Sequence, residues 1–365
     1  MLNINRVQKP WFDGGNRGDY HMSLETALAR GNNNLDLVRI FAALMVIFGH
    51  SFALSFNQEY TEPFNYLFPF TYSGSIAVKV FFFISGVLVT NSLISSGNIA
   101  KFSVARFFRI YPAFAFTIVV SSLLIGPIAY QGELSQYFSS SGFKDYITHS
   151  LHFDTQYFIE GVFVGNKDNG SINGSLWTIA LEISAYFVVL SAYIFTGFKN
   201  KAISSAICMF VIIMPLTSIE GFNFIIERNS EAFLLPSIFA LGSLYAINKD
   251  KIIVDWKIPL AFFILYKTSY SPYLSQFTFY AGLCTSILYF STFKTIRNIK
   301  IRHDISYGIY LWGFPIQQLL NYFYHMDTVT LIFSSAFLSI IAGYVSYLLI
   351  ERPSMNIGKK VSSFL

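Results

Sequence analysis

The stretch from Leu35 to Ser51 reads LDLVRIFAALMVIFGHS, and it decides how the rest of the chain is interpreted. Most of its residues are apolar, but Arg39 stands near its start and His50 follows eleven residues later. In an α-helix this spacing returns to nearly the same face and rises about 16 Å. An apolar run of this length predicts a membrane-spanning helix. One stripe of that helix then presents a guanidinium near one membrane surface and an imidazole much deeper.

The composition of the whole chain is that of a membrane protein. Of its 365 residues, 53% are hydrophobic and 12% are charged, and 40 are phenylalanine. Soluble domains typically carry about 25% charged residues. The net charge of +5 is dispersed along the chain, so no nucleic-acid partner is expected. Cys208 and Cys284 both lie in apolar stretches, which favours buried thiols over a disulfide framework.

Apolar segments of roughly 17–25 residues, long enough to span a bilayer, recur along the chain. They predict an all-α, polytopic integral membrane protein of about ten transmembrane helices. The approximate spans are 35–56, 74–95, 109–130, 174–197, 201–219, 231–248, 256–271, 272–293, 304–324 and 328–350.

The ends of the chain are polar and are expected to lie outside the bilayer. Residues 1–34 lack the apolar core of a signal peptide and are expected to form a cytoplasmic tail, with a short helix near residues 23–30. Residues 35–353 are expected to form the transmembrane domain. Residues 354–365 are expected to form a cytoplasmic C-terminal tail.

The placement of lysine and arginine predicts the orientation. With ten spans and both termini in the cytoplasm, most of the 25 lysine and arginine residues fall on the inner side. Basic residues concentrate in the cytoplasmic segments of membrane proteins, and an odd number of spans would place the later basic segments outside. The largest outer loop, about residues 131–173, is long enough to fold over the mouth of the bundle.

Three ionisable side chains on three predicted helices lie at similar depth. By helical rise, His50, Glu182 and Lys79 fall about 9, 12 and 7 Å below the outer membrane surface. Ionisable groups inside lipid are costly and often functional. A histidine suits general-base catalysis on a hydroxyl group, and a carboxylate can orient its imidazole. The alternative is that His50 and Glu182 form a structural polar pair that locks helices together.

The segment RFFRIYP, residues 106–112, is expected in the inner loop between the second and third spans. Its Arg106 and Arg109 share a helix face and could together grip a phosphate group. The alternative is that both are ordinary positive residues anchoring the inner surface.

Two other patterns are less informative. FFFISG, residues 81–86, includes Ser85 and a glycine, and small residues permit close helix packing. His149 and His152 have the spacing of a metal pair, but no third ligand motif completes a site, so no metal is expected.

Taken together, the motifs resemble those of the membrane-bound acyltransferase-3 family, which includes bacterial O-antigen and other surface-glycan O-acetyltransferases. The match runs in order from about residue 35 to residue 358, and so covers nearly all of the chain after its tail. The matching segments are residues 35–51, FFFISGVL at 81–88, RFFRIYP at 106–112, SLWTIALE at 175–182, ISYGIYLW at 305–312 and LIERP at 349–353.

The resemblance implies a function. It predicts an O-acetyltransferase of the bacterial inner membrane that moves an acetyl or other acyl group from cytoplasmic acyl-CoA to a glycan hydroxyl, with no metal. The acceptor is expected to be a surface polysaccharide, such as the O-antigen of lipopolysaccharide, or an undecaprenyl-linked glycan. Membrane lipid is the other expected partner.

The resemblance also assigns roles to matching positions. The expected catalytic residues are His50, Glu182 and Arg39, with His50 as general base or acyl carrier. The expected acyl-CoA-binding residues are Arg106, Arg109 and Arg39, and Trp177 is expected near the reaction centre. Together with Trp177, Lys79 and Ser85 are expected to line the substrate, although Lys79 is not a family match.

Two positions depart from the family pattern. Gly313 stands where many members have a histidine, so no chemistry is assigned there. Lys79 stands where an acidic residue is frequent, which points to an altered acceptor choice.

A transporter or flippase for a lipid-linked sugar is the alternative function, because it would use the same buried polar groups. A scaffold in which these groups only pack helices is a third.

Overall fold

The computed structural model describes residues 22–56, 60–217 and 231–365, and within these ranges helices predominate. Residues 1–21, the start of the predicted tail, lie outside the described residues. The predicted short helix is confirmed as α1 (Leu24–Leu28), which is capped by Ser23. It follows strand β1 (Met22–Ser23), which pairs antiparallel with β2 (Ile253–Val254). Leu24 and Ala27 are fully buried, so this part of the expected tail packs against the bundle.

The remaining helices follow in chain order. They are α2 (Leu35–Leu54), α3 (Pro63–Leu67), α4 (Ser73–Ser96), α5 (Ile99–Val120), a π-helical turn (Ser121–Ile125), α6 (Gly126–Ala129), α7 (Leu134–Ser139), α8 (Ser141–Leu151), a 3-10 turn (Asp168–Gly170), α9 (Trp177–Thr196), α10 (Lys201–Ile213), a 3-10 turn (Met214–Leu216), α11 (Leu235–Ile247), α12 (Lys257–Thr268), α13 (Pro272–Ser291), α14 (Lys294–Arg297), α15 (Ser306–Tyr324), α16 (Thr328–Ser346), a second π-helical turn (Tyr347–Glu351) and α17 (Arg352–Ser362).

The structure confirms the predicted fold class, a helical membrane protein. Among the described residues, 5 helical segments are long and apolar enough to cross a membrane: Leu35–Leu54, Ser73–Ser96, Ile99–Ala129, Trp177–Thr196 and Thr328–Ser362. Two shorter apolar helical segments are Lys201–Leu216 and Leu235–Ile247. A helix also lies at each of the other predicted spans, as α12, α13 and α15. The protein is therefore a multi-pass helical membrane protein.

The first long helix begins where its sequence predicts. Asn34 precedes α2, and its side-chain oxygen accepts a hydrogen bond from the backbone N–H of Leu37 at 3.2 Å. The Asn34 amide also donates to the carbonyl oxygens of Ile296 and Ile299, each at 2.8 Å. The cap of α2 is thus tied to α14 and to the segment that follows it.

The third long helix begins earlier than predicted. The sequence placed Arg106 and Arg109 in a loop before a span at 109–130, but α5 already begins at Ile99. The reason is the cap: the Asn98 side chain accepts from the backbone N–H of Lys101 at 3.0 Å, which starts the helix directly after a tight turn. Both arginines therefore stand on a rigid helix.

The C-terminal segment, which is expected to be a cytoplasmic tail, is helical. After α16 the chain continues through the π-helical turn into α17. Gly358 on α17 packs against the Phe108 ring of α5. Ile357 and Val361, one turn apart, remain exposed. An amphipathic helix of this kind lies at a membrane surface with its apolar face toward lipid.

The bundle is built around α4, whose contact with α11 is very close. A Cβ atom on Gly86 would stand 2.2 Å from the Phe239 carbonyl oxygen, and one on Gly242 would stand 2.2 Å from that of Phe83. Only glycine fits at such an approach, in keeping with small residues at helix interfaces in membranes. Nearby, Thr90 Oγ1 donates a hydrogen bond to Ser243 Oγ at 2.9 Å. The close packing expected for residues 81–86 is confirmed.

Candidate active site

A buried group of charges ties four helices together at the Arg39 end of the bundle. Asp304, just before α15, forms ion pairs with Arg39 of α2 and with Arg109 of α5, the latter at 2.5 Å. Both guanidinium groups contact the same carboxylate oxygen, Oδ2. The other oxygen, Oδ1, accepts hydrogen bonds from the backbone N–H and hydroxyl of Ser306 at 3.2 and 2.6 Å. Asp304 therefore fixes the start of α15 against two arginines.

Glu351 completes this group from the π-helical turn after α16. Its side chain is fully buried, and its Oε2 lies 3.8 Å from Arg109 Nη1. Its Oε1 accepts a hydrogen bond from Ser346 Oγ at 3.4 Å. Arg109 is thus held between two carboxylates, and charges of this kind are stable in a low-dielectric interior because they are paired.

Beside the charge group lies an open cavity of about 660 Å³. Its walls include residues of α4, α5 and α17, and its only acidic lining residue among those described is Asp304. The cations on its lining are Arg39, Lys101, Arg106, Arg109 and Lys359. A cavity with this surplus of positive charge suits a polyanionic ligand.

Arg106 faces this cavity with spare hydrogen-bonding capacity. Its Nε is buried and has no hydrogen-bond partner among the described residues. Its guanidinium carbon lies 5.9 Å from the centroid of the Phe102 ring, one turn back on α5. In contrast to Arg109, Arg106 forms no ion pair within the described ranges. It is therefore free to bind a ligand anion.

A smaller polar cavity of about 70 Å³ continues from the open one toward the middle of the bundle. The two share Arg39, Arg106 and Arg109 on their walls. Deeper in, the smaller cavity is lined by Ser85, Glu182, Tyr186 and Tyr307. The arginine pair of RFFRIYP, Ser85 and Glu182, which the sequence predicted in separate roles, thus meet around one polar pocket.

Glu182 is held inside this pocket by hydroxyl groups. Its Oε1 accepts hydrogen bonds from Ser85 Oγ at 2.8 Å and from Tyr186 Oη at 2.5 Å. Tyr186 stands one turn along the same helix, α9. Tyr307, from α15, closes the pocket and donates to the Ile110 carbonyl oxygen at 3.1 Å.

His50 lies toward the other end of α2, about 16 Å of helical rise from Arg39. Its half-buried ring meets Phe314 of α15 edge to face, with the ring centroids 5.3 Å apart. No hydrogen bond to its ring is formed by the residues that the structure describes. The preceding Gly49 touches the start of α4, since a Cβ there would lie 2.7 Å from Ser73 Oγ. The imidazole is therefore positioned by packing and keeps both nitrogens available.

The predicted contact between Glu182 and His50 is not found. Glu182 instead bonds to Ser85 and Tyr186, as described above. Similar depth in the membrane does not imply that two side chains point toward each other, because helices at one depth still differ in position and rotation. Glu182 belongs with the arginine-lined pocket.

The other predicted lining residues are in different surroundings. Lys79 is buried, with Nζ 2.6 Å from Ser75 Oγ, 3.0 Å from the Glu231 carbonyl oxygen and 3.2 Å from Glu231 Oε2. Its ammonium also lies 5.0 Å from the centre of the Tyr280 ring. Trp177 begins α9 and packs against the hydrophobic core. Neither residue lines the two polar cavities.

Sequence reasoning missed several members of the site. Asp304 and Glu351 were not singled out, although each is an acidic residue beside a predicted span end, where an unpaired charge is costly. Tyr186 follows Glu182 by one helical turn, a spacing that could have indicated a hydrogen bond. Lys359 was assigned to a tail, and no local signal shows that α17 returns to α5.

Comparisons with known proteins identify the family. The family model described as "Acyltransferase domain" matches residues 32–348, and the chain belongs to this acyltransferase family. The chain is 28% identical over 335 residues to an O-acetyl transferase of Shigella phage Sf6, covering 88% of this chain and 95% of that protein. It is 26% identical over 353 residues to Nodulation protein 10 of Rhizobium leguminosarum bv. viciae, covering 89% and 94%.

A third relative is longer. The chain is 23% identical over 380 aligned positions to O-acetyltransferase OatA of Staphylococcus aureus, covering 91% of this chain and 58% of that protein. No solved structure matches the chain.

Proposed function

We propose that this protein is an O-acetyltransferase that uses cytoplasmic acetyl-CoA, or another acyl-CoA, to acylate a glycan hydroxyl. The proposed acceptor is a surface polysaccharide, such as an O-antigen, or its undecaprenyl-linked precursor. Membership of the acyltransferase family and the names of the phage and staphylococcal relatives support the reaction. The proposed location is the bacterial inner membrane, with ten spans and both termini in the cytoplasm.

The observation that carries the proposal is the layout of α2. One end of this helix contributes Arg39 to a cavity rich in positive charge, and the other carries His50 with both ring nitrogens free of partners among the described residues. A reaction between a polyanionic donor on one side of a membrane and a hydroxyl on the other needs these two features. The charge distribution suits the orientation, since basic residues gather on the cytoplasmic side of membrane proteins.

The donor fits the arginine-lined cavity by charge. CoA carries a diphosphate and a ribose phosphate, and its phosphate groups would meet Arg106, whose Nε lacks a partner in the described chain. Arg39 and Arg109 would act mainly by shaping the cavity, because Asp304 already binds both. The smaller pocket, with Glu182 and Ser85, offers a polar path inward for the acyl-bearing arm.

The chemistry proposed for His50 is general-base catalysis. The imidazole takes the proton from the acceptor hydroxyl as its oxygen bonds to the acyl carbon. The carbon–sulfur bond breaks, CoA leaves as a thiolate, and the proton passes from His50 to the sulfur or to water. In the alternative, a His50 nitrogen first takes the acyl group from the thioester and then passes it to the hydroxyl. Both routes need an accessible imidazole.

The proposal is tested by following donor and acceptor together. Purified protein in lipid vesicles is supplied with radiolabelled acetyl-CoA and lipid-linked glycan extracted from its host. We expect free thiol and labelled glycan to form in equal amounts, because each transfer releases one CoA. Vesicles without glycan are the control. Movement of glycan across the vesicle membrane without thiol release would contradict the proposal and establish a flippase.

A further inference from the structure

The C-terminal helix α17 forms one wall of the large cavity. Met355, Lys359, Ser362 and Ser363 all line it, at the i, i+4, i+7 and i+8 spacing of a single helical stripe. Lys360 lies about 100° further round the helix and is not on the cavity wall. Of these two lysines, only Lys359 lines the cavity, and the sequence alone placed it in a tail.

The position of this stripe is held from two sides. Gly358 packs against the Phe108 ring on α5, so the two helices run in close contact. On a different face of α17, exposed Ile357 and Val361 are suited to contact with lipid at the membrane surface. Lys359 is thus carried on a helix that packs against α5, and it lines the cavity.

Not all cations around the cavity are available to a ligand. Arg39 and Arg109 are bound by Asp304, and Arg109 also lies near Glu351. Lys101, Arg106 and Lys359 have no acidic partner within the part of the chain that the structure describes. The first two come from α5 and the third from α17. Free positive charge therefore lines the cavity from two neighbouring helices.

We propose that this cavity binds the nucleotide end of CoA at two separate phosphate positions, with Arg106 on the diphosphate and Lys359, aided by Lys101, on the ribose 3′-phosphate. The inference rests on the acyl-CoA donor of the proposed function and goes beyond it by assigning the phosphates. Arg106 lines both cavities, so it stands nearer the acyl path. Lys101 and Lys359 are exposed and line the large cavity only, as a subsite for the more distant phosphate requires.

Hydroxyl groups also line the cavity, from Ser92 and Ser96 on α4 and from Ser362 and Ser363 at the end of α17. Three of them, those of Ser96, Ser362 and Ser363, already donate hydrogen bonds to backbone carbonyl oxygens. A hydroxyl group has one O–H to donate, so the assignment rests on the positive charges and not on these side chains.

The test measures binding rather than turnover. Detergent-purified wild type, Lys359→Ala and Lys360→Ala are titrated with CoA and with 3′-dephospho-CoA by calorimetry. We expect Lys359→Ala to weaken CoA binding about tenfold, as for the loss of one charge-assisted contact, and to leave 3′-dephospho-CoA binding nearly unchanged. Lys360→Ala, the matched control on the same helix, should behave as wild type, and Lys359→Arg should retain most of the preference for CoA.

Three results would overturn the assignment in distinguishable ways. If wild type binds CoA but Lys359→Ala and Lys360→Ala bind it with equal affinity, the assignment of the 3′-phosphate to Lys359 is wrong. Acyl-CoA is then still supported as the donor. If Lys359→Ala weakens the binding of CoA and of 3′-dephospho-CoA equally, Lys359 does not contact the 3′-phosphate. If wild type binds neither ligand, the proposal that acyl-CoA is the donor is itself wrong, and so is the assignment of its 3′-phosphate.

Discussion

Replacing His50 by alanine is expected to lower the rate of acetyl transfer by a factor of about 10²–10⁴, the usual loss on removing a general base. The fold should survive, because the ring makes one edge-to-face contact with Phe314 and no hydrogen bond within the described residues. The measurement is the rate of glycan labelling by purified protein in vesicles. The control is His149→Ala, which removes a histidine from α8, outside the proposed site.

The same variant separates the two chemical routes. If His50 carries the acyl group, wild-type protein given donor alone should acquire a label that is lost on adding glycan, and His50→Ala should acquire none. If His50 is a general base, neither protein is labelled without acceptor. Transfer at the wild-type rate by His50→Ala would exclude both routes and favour the purely structural reading of this residue.

Replacing Asp304 by alanine is expected to lower the free energy of unfolding by about 3–5 kcal/mol, the usual cost of removing one partner from a buried ion pair. Two guanidinium groups, those of Arg39 and Arg109, would lose their shared carboxylate, and α15 would lose the bonds at Ser306. The measurement is unfolding of the detergent-purified protein, monitored by circular dichroism.

Asp250 provides the matched control for Asp304. It pairs with Lys201 at 2.6 Å, but both side chains are 43% exposed. The hydrogen bond from Lys201 lowers the pKa of Asp250, so its carboxylate is charged at neutral pH. Surface pairs contribute little to stability because water and salt screen them. Asp250→Ala should therefore unfold like wild type, and equal stability of Asp304→Ala and Asp250→Ala would contradict the role given to Asp304.

Local sequence signals predicted the helices well. Long apolar runs indicate membrane helices because the chain must satisfy its backbone hydrogen bonds inside lipid, and α2, α4 and α9 lie close to their predicted bounds. Helix ends were predicted less well. The Asn98 cap starts α5 ten residues early, and this capping signal lies outside the apolar run that was used to place the span.

The site was predicted in its parts but not in its pairings. Helical rise gave the depths of Glu182 and His50, but depth is one coordinate of three. The rotation of α9, which turns Glu182 toward Ser85 and the arginines, depends on packing among several helices. The return of α17 to α5 depends likewise on a contact between Phe108 and Gly358, far apart in sequence. Such contacts are set by the assembled bundle.

Lys79 was predicted to line the substrate site, but in the structure it is paired with other side chains. The sequence marked it as an ionisable group inside a span and as a lining residue. Its departure from the family pattern, in which an acidic residue is frequent there, pointed to an altered acceptor choice. In the structure it is satisfied by Ser75 and Glu231, which joins α4 to the chain just before α11. A buried lysine paired in this way stabilises the local geometry, and its effect on the acceptor remains a prediction.

The most direct test of acyl transfer through His50 is mass spectrometry of the host's surface glycans. Three strains are compared: one lacking the gene, one complemented with wild type and one complemented with His50→Ala at equal protein level. We predict that base-labile acetyl esters on the glycan disappear in the first, return in the second and stay absent in the third. Unchanged acetylation in the deletion strain, or full restoration by His50→Ala, would contradict the account.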